Sequence, residues 1–417
     1  MLYFFIRWLT AEPSLKISHA TIVPFAKAFP LELHGEIALY LPRGSLKSYS
    51  LASRVLNMEA NRVLWRSVAV TALHAADGSI EEFVNALLRD PVRAAKIRRI
   101  TFQPRCSYRD LSIFPPQPTE AFWEALKEAL NLLVHTNIVV LLAFISFDLA
   151  NEDYPDRFID IIGSVFQRIG VPRLQADLPQ RVLFRLWRLW PSLTDLYVHV
   201  VFEESPIYLP PDALPQLRHV ELGVDLMRQV VLGRSIETIT QYGGPINMHP
   251  NNVNRLRAIF QDCNTLRQAR VTFHTSCKDE FAKLLPALAH DNLRDLGVTI
   301  QLTYKLQPNP PPTVQALPPG ALKYFPKLEF LQMSINHSSF FDWDGGDTRE
   351  DYDAVAKALS GFLTLENHGT LVRVKINVQS WDVGLQGTHL IATRSGSHWD
   401  VEVAKISALG LRDLLFP

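Results

Sequence analysis

One pattern recurs through this chain and limits what it can fold into: an apolar residue, two variable residues, an apolar residue, one variable residue, and a third apolar residue. It stands at Ile97-Ile100-Phe102, Leu193-Leu196-Val198, Leu217-Val220-Leu222, Leu266-Ala269-Val271, Leu293-Leu296-Val298, Leu328-Leu331-Met333 and Leu371-Val374-Ile376. Weaker copies are Ile138-Leu141-Ala143 and Ile236-Ile239. The last two apolar positions alternate with a variable residue, the period of a strand with one buried face. One such strand and its own helix cannot cover that face, so copies must stack on their neighbours. Successive copies lie about 19 to about 55 residues apart, which leaves room for helical segments between strands.

Those intervals carry helix signals. Ser79 with Glu82 reads as a capping box ahead of Ile80, Phe83, Leu87 and Leu88, and Pro91 follows that helix. Thr119 caps a helix with the stripe Phe122, Leu126, Leu130 and Leu133. Pro250 at a first turn leads to Val253, Leu256 and Phe260. Ser276 with Asp279 leads to Phe281, Leu284, Leu285 and Leu288, and Thr348 with Asp351 to Tyr352, Val355, Leu359 and Phe362. Trp187 and Trp190, three apart, share a helical face. Packing on the repeats is the simpler role for them, and an exposed aromatic anchor is the alternative. The pattern resembles the core of leucine-rich repeats, in an irregular array without an asparagine ladder residue. The resemblance implies an α/β solenoid over residues 71–417, with parallel strands alternating with helices. On its concave side the variable strand residues Tyr197, His219, Glu221, Arg270, Gln332 and Lys375 are the candidate contacts to a substrate.

Ahead of the repeats, residues 25–70 read as a compact helical module, while residues 1–24 give no firm element. Pro30 suits a first helical turn, and Leu33, Ile37 and Leu41 form an apolar stripe beside Tyr40. Pro42 ends that helix, and Ser45 is the expected N-cap of a second helix carrying Leu46 and Tyr49. Leu51, Val55 and Met58 offer a further apolar face, and Leu64, Trp65 and Val68 read as an extended exit. A module of this size cannot bury much apolar area, since isolated domains below about 40 residues generally need a partner. Phe29, Pro30, Glu32 and Leu33, then Ile37, Leu41, Leu46, Leu51, Ser53 and Arg54, then Leu64, Trp65 and Arg66 together resemble an F-box. Phe-Pro replaces the usual Leu-Pro, and Val55 and Leu56 stand where an aromatic often follows the Ser-Arg pair. The resemblance implies a three-helix module that docks on a Skp-type adaptor of a cullin ligase complex through Phe29, Pro30, Leu33, Ile37, Leu41, Leu46, Leu51 and Trp65. It further implies a cytoplasmic or nuclear substrate receptor that does no covalent chemistry, and an unidentified protein substrate. The competing expectation is a repeat scaffold on which the same helices form a cap.

Composition narrows the alternatives. Lys plus Arg equals Asp plus Glu at 42 each, so nothing favours a nucleic acid or an anionic membrane as partner. Cys106, Cys263 and Cys277 are not closely paired, which suits a reducing compartment. The opening MLYFFIRWLT lacks the basic segment and cleavage site of a signal peptide, and the apolar run Ile138–Phe147 is too short to span a bilayer. The common phosphate-binding, dinucleotide, hydrolase and zincin motifs are absent, which counts against an enzyme without excluding one; the expectation is a non-enzyme without a cofactor, and an enzyme with a site in the acidic loop region is the weakest alternative. Asp342, Asp344 and Asp347 make a poor calcium loop, because the glycines are misplaced and no closing Glu follows. His274 and Cys277 lack the second ligand pair of a zinc site, so no metal is expected.

Overall fold

The computed structural model describes residues 31–70, 80–102, 119–133, 139–143, 153–177, 187–188, 190–198, 209–210, 212–275, 284–302, 320–337, 349–366, 368–380 and 387–406. They form a mixed α/β structure with mostly parallel strands, in two compact units. One lies within Met1–Leu178 and Arg185–Ser192, the other within Leu193–Pro417 with Pro179–Phe184, a division that falls inside the stretch read from sequence as one array.

The first unit opens with α1 (Leu31–Tyr40), α2 (Arg43–Ala52) and α3 (Arg54–Arg66). Pro42 separates the first two and Ser53 the last two. Ser53 is extended, and its hydroxyl accepts the Leu56 amide at 3.2 Å. The three helices share one core of Ile37, Ala38, Leu41, Leu46, Tyr49, Leu56 and Ala60, edged by Ala52, Val63 and Leu64. Gly35 of α1 faces the Arg62–Glu59 ion pair of α3: a Cβ there would lie 2.9 Å from Arg62 Nη2 and 3.0 Å from Glu59 Oε2. Two expectations change here. Ser45 lies inside α2, whose N-cap is Pro42. Leu64 and Trp65 form the last turn of α3 rather than an extended exit, because the chain stays helical to Arg66.

The chain then enters β1 (Ser67–Val70), which pairs in parallel with β2 (Arg99–Phe102), as β2 does with β3 (Val139–Ala143) and β3 with β4 (Arg173–Asp177). Val68, Ile100, Val140 and Leu174 align across these strands, followed by Val70, Phe102, Leu142 and Ala176. Two further copies of the repeat pattern emerge from that register, Trp65-Val68-Val70 and Val171-Leu174-Ala176. The register also shifts the weak third copy by one residue, since Val140 rather than Leu141 aligns with Ile100. The 3-10 turn Pro91–Lys96 follows α4 (Ile80–Arg89), which packs beside α5 (Glu120–Asn131), and α5 beside α6 (Asp153–Ile169). Phe83 of α4 meets Phe102 of β2 edge to face at 6.3 Å. The buried side of α5 includes Trp123 beside Leu126 and Leu130, while Phe122 is half-buried. Trp187 and Trp190 are buried at 1% and 0% exposure, which removes the exposed-anchor alternative. Trp190 Nε1 donates to Gly163 O at 3.0 Å, and its ring packs edge to face on Phe166 at 5.9 Å.

The second unit carries β5 (Asp195–Val198), β6 (His219–Leu222), α7 (Val224–Val231), β7 (Thr238–Gln241), β8 (Ile246–Asn247), α8 (Pro250–Asp262), β9 (Gln268–Thr275) and α9 (Leu284–Ala287). It continues with β10 (Asp295–Leu302), a 3-10 turn (Ala321–Tyr324), β11 (Phe330–His337), α10 (Arg349–Glu366), β12 (Arg373–Ser380), β13 (Gly387–Ser395) and β14 (His398–Ile406). Strands run β5-β6-β7-β9-β10-β11-β12-β13-β14, and β8 joins the end of β9. Pairing is parallel as far as β12. The expectation of parallel strands throughout fails for β13 and β14, which are antiparallel and joined at Gly396, where φ is +65°. The apolar residues of each copy from Leu193 to Ile376 are buried, as the pattern requires.

Carbonyls left at the bends are satisfied by varied side chains instead of a repeated asparagine. Thr265 donates to Ile236 O at 2.8 Å, His290 Nε2 to Cys263 O at 2.7 Å, and His368 Nε2 to Phe325 O at 2.7 Å. Cys263, His290, Phe325 and His368 each stand three residues before the first apolar position of a copy, so the histidines recur at one station of the repeat. The starts of the helices expected from Ser276 and Thr348 lie outside the described residues.

Candidate functional site

Two surfaces bring candidate residues together. The first is the N-terminal helical module. Ile37, Leu41 and Leu46 are 3%, 7% and 4% exposed, inside the module's own core, where no partner reaches them without opening it. The physical reason is that three short helices have only these apolar stripes from which to build a core. Apolar side chains that do face outward are Leu33, Leu39, Tyr40, Leu51, Val55 and Met58, with Leu51 and Tyr40 at 80% and 67% exposure. Asn57 Nδ2 donates to Ser50 O at 3.1 Å, which sets the end of α2 beside the first turn of α3. Val55 and Met58, three apart on α3, share one helix face. Phe29 and Pro30 lie outside the described residues.

Polar groups inside the module serve its structure. His34 Nδ1 and the Tyr49 hydroxyl lie 3.2 Å apart, and burial, with the Glu59 carboxylate adding to it, pushes the Tyr49 phenol up to about 12. Tyr49 is therefore neutral at physiological pH. Half-buried Trp65 carries the Arg93 guanidinium 5.0 Å above its ring, and Arg93 is held by Asp90 at 2.9 Å. This contact ties α3 to the 3-10 turn before β2.

The second surface is the open face of the strands in the second unit. Five of the six candidates fall in one row across seven adjacent strands: Tyr197, Glu221, Thr240, Arg270, Gly297, Gln332 and Lys375. The neighbouring row is Asp195, His219, Thr238, Gln268, Asp295, Phe330 and Arg373, so His219 borders the same strip. At the centre Arg270 reaches over Gly297 and grips Asp295 with two bonds of 2.8 and 2.7 Å. A Cβ on Gly297 would lie 2.2 Å from Arg270 Cδ, so the missing side chain makes this crossing possible. Gln268 Nε2 also donates to Asp295, at 3.2 Å. Sequence reasoning missed Thr240, Gly297, Phe330 and Arg373. Thr240 and Gly297 occupy the same variable position as the named candidates, and Phe330 and Arg373 the position two residues earlier.

The remaining chemical candidates gain no geometry. His274 is half-buried on β9, while Cys277 and the aspartates Asp342, Asp344 and Asp347 lie outside the described residues. Among the described residues no three His, Cys, Asp or Glu side chains group as metal ligands, and no helix is long and apolar enough to cross a membrane. Burial, with Asp262 adding to it, pushes the Cys263 thiol up to about 12, which keeps it protonated and unreactive. No protein-family model matches the chain, and no curated protein matches it significantly.

Proposed function

We propose that this chain is the substrate-recognition subunit of an SCF-type ubiquitin ligase. In this reading the N-terminal helices are an F-box that docks on a Skp-type adaptor, and the strands form an irregular leucine-rich-repeat solenoid whose open face holds a protein substrate. The chain works by proximity, raising the effective concentration of substrate near a charged conjugating enzyme, and acts in the cytoplasm or nucleus without chemistry of its own. The observation that carries this reading is the group of outward apolar residues on the module, Leu33, Tyr40, Leu51, Val55 and Met58, beside a core the module completes for itself. The adaptor contact is accordingly assigned to these side chains, with Ile37, Leu41 and Leu46 holding the helices that present them.

A second reading is a stand-alone repeat scaffold with a helical cap. It is favoured by the direct passage of α3 into β1 and by the Trp65–Arg93 stack, both of which join the module to the strands. Co-expression with a Skp-type adaptor separates the two. A stoichiometric complex that is lost in Leu51→Asp/Met58→Asp, with the melting temperature unchanged, supports the receptor. A wild-type chain that elutes alone supports the cap.

A further inference from the structure

The basic end of the open face in the second unit gives that surface a specific partner class. On β12, Val374 and Ile376 are fully buried, so Arg373 and Lys375 project from the opposite, open face. Among the described residues neither cation is in an ion pair. Phe330 stands beside Arg373 on β11 and is 42% exposed, and Gln332 stands beside Lys375. Phenylalanine and arginine are both enriched at the cores of protein interfaces. Carboxylates lie two strands away on either side along the strand order: Asp400 and Glu402 of β14 align through Thr393 and Ile391 of β13 with Arg373 and Lys375, and Asp295 of β10, already held by Arg270, aligns through Phe330 with Arg373. Burial first, then Lys375 and Arg373, lower the basicity of His389, while Glu402 raises it.

We propose that Phe330, Gln332, Arg373 and Lys375 bind an extended, acidic protein segment, with carboxylates on Arg373 and Lys375 and an apolar side chain on Phe330. Spacing supports this occupant. Residues two apart on a strand lie about 6.6 to 6.8 Å apart, the repeat of alternate side chains in any extended segment. Two acidic residues separated by one position therefore match the two cations when the segment runs along β12. The carboxylates of β14 repel the same segment and confine it to the β11–β12 side. The inference rests on the reading of this face as the substrate surface and names the class of segment it holds.

The test uses the full-length chain and a fluorescein-labelled nine-residue peptide of alternating Asp and Glu with one central Leu. Its Gln-substituted and Lys-substituted counterparts serve as controls. Fluorescence anisotropy at low salt reads binding, and thermal unfolding reads folding. The acidic peptide is expected to bind at least about tenfold tighter than the Gln peptide and to weaken as salt rises. Arg373→Gln/Lys375→Gln abolishes that preference, Arg373→Lys/Lys375→Arg retains it, Phe330→Ser weakens binding, and Glu402→Gln strengthens it. Equal binding of the acidic and Gln peptides, no binding of either, or acidic binding that survives Arg373→Gln/Lys375→Gln in a folded protein overturns the proposal. A chain that joins the adaptor but ignores the acidic peptide overturns this inference alone. One that binds the peptide but ignores the adaptor overturns the ligase reading.

Discussion

The guanidinium of Arg234 donates to the carbonyls of Pro210, Ala213, Val230 and Leu232 at 2.6, 2.7, 2.7 and 3.1 Å, with the residue only 7% exposed. Replacing it with Met leaves several carbonyls without this donor. Because each unpaired buried polar group costs about 1 to 3 kcal/mol, Arg234→Met is expected to lower stability by about 3 kcal/mol or more in urea unfolding. His290 makes a prediction of a different kind. Its Nε2 donates to Cys263 O and its Nδ1 accepts the Asn292 amide at 3.2 Å, an arrangement that fits only the neutral ring. Burial holds its pKa below the ordinary value, against weaker opposing effects of the Cys263 carbonyl bond and Asp291. The folded state thus binds fewer protons than the unfolded one. The stabilisation is present above the unfolded pKa, near 6.5, and is lost as pH falls toward the folded value. His389, lowered mainly by burial and then by Lys375, adds the same sign. Unfolding free energy should therefore fall as the pH drops below the ordinary histidine value near 6.5, with a shallower slope in His290→Gln. These roles were not legible in the sequence. A histidine three residues before a repeat is visible there, but its carbonyl partner belongs to the preceding repeat, and only the stacked register brings the two together.

At the scale of the element, the sequence was most informative where one residue type had one conformational use. The apolar triplets from Leu193 to Ile376 located β5, β6, β9, β10, β11 and β12, the doublet Ile236-Ile239 located β7, and the variable residue inside five of these copies located the open row. It misled where every residue was apolar. Ile138 to Ala143 offers no alternation, so the phase of β3 was decided by its pairing with β2. The copy ending at Ala176 has a small third residue that gives little apolar signal, and Trp65-Val68-Val70 begins inside the last turn of α3. The same ambiguity affected that module: an apolar stripe announces a helix face, but not whether the face meets a sibling helix or a partner. Ile37 and Leu41 took the first course, and Leu51 and Met58 point outward. Ser53 marks the boundary that sequence left open between α2 and α3. Its hydroxyl is the N-cap of α3, so Ser53→Ala should cost about 1 kcal/mol in thermal or urea unfolding, whereas Ser53→Asp should retain most of it.

At the scale of the whole molecule, one pattern builds the parallel strands β1–β4 of one unit and β5–β7 and β9–β12 of the other, and each unit exposes a different chemistry: apolar side chains on the N-terminal helices of one, a polar strip on the strands of the other. A receptor that must grip an adaptor and a substrate at once needs two such surfaces on one chain. The most direct test of that division of labour is amide hydrogen exchange on the full chain with and without a Skp-type adaptor. The account predicts slowed exchange in peptides covering α1 to the first turns of α3, with no change in β9 to β12. Unchanged exchange across α1–α3 at saturating adaptor, or protection confined to the strands, would contradict it.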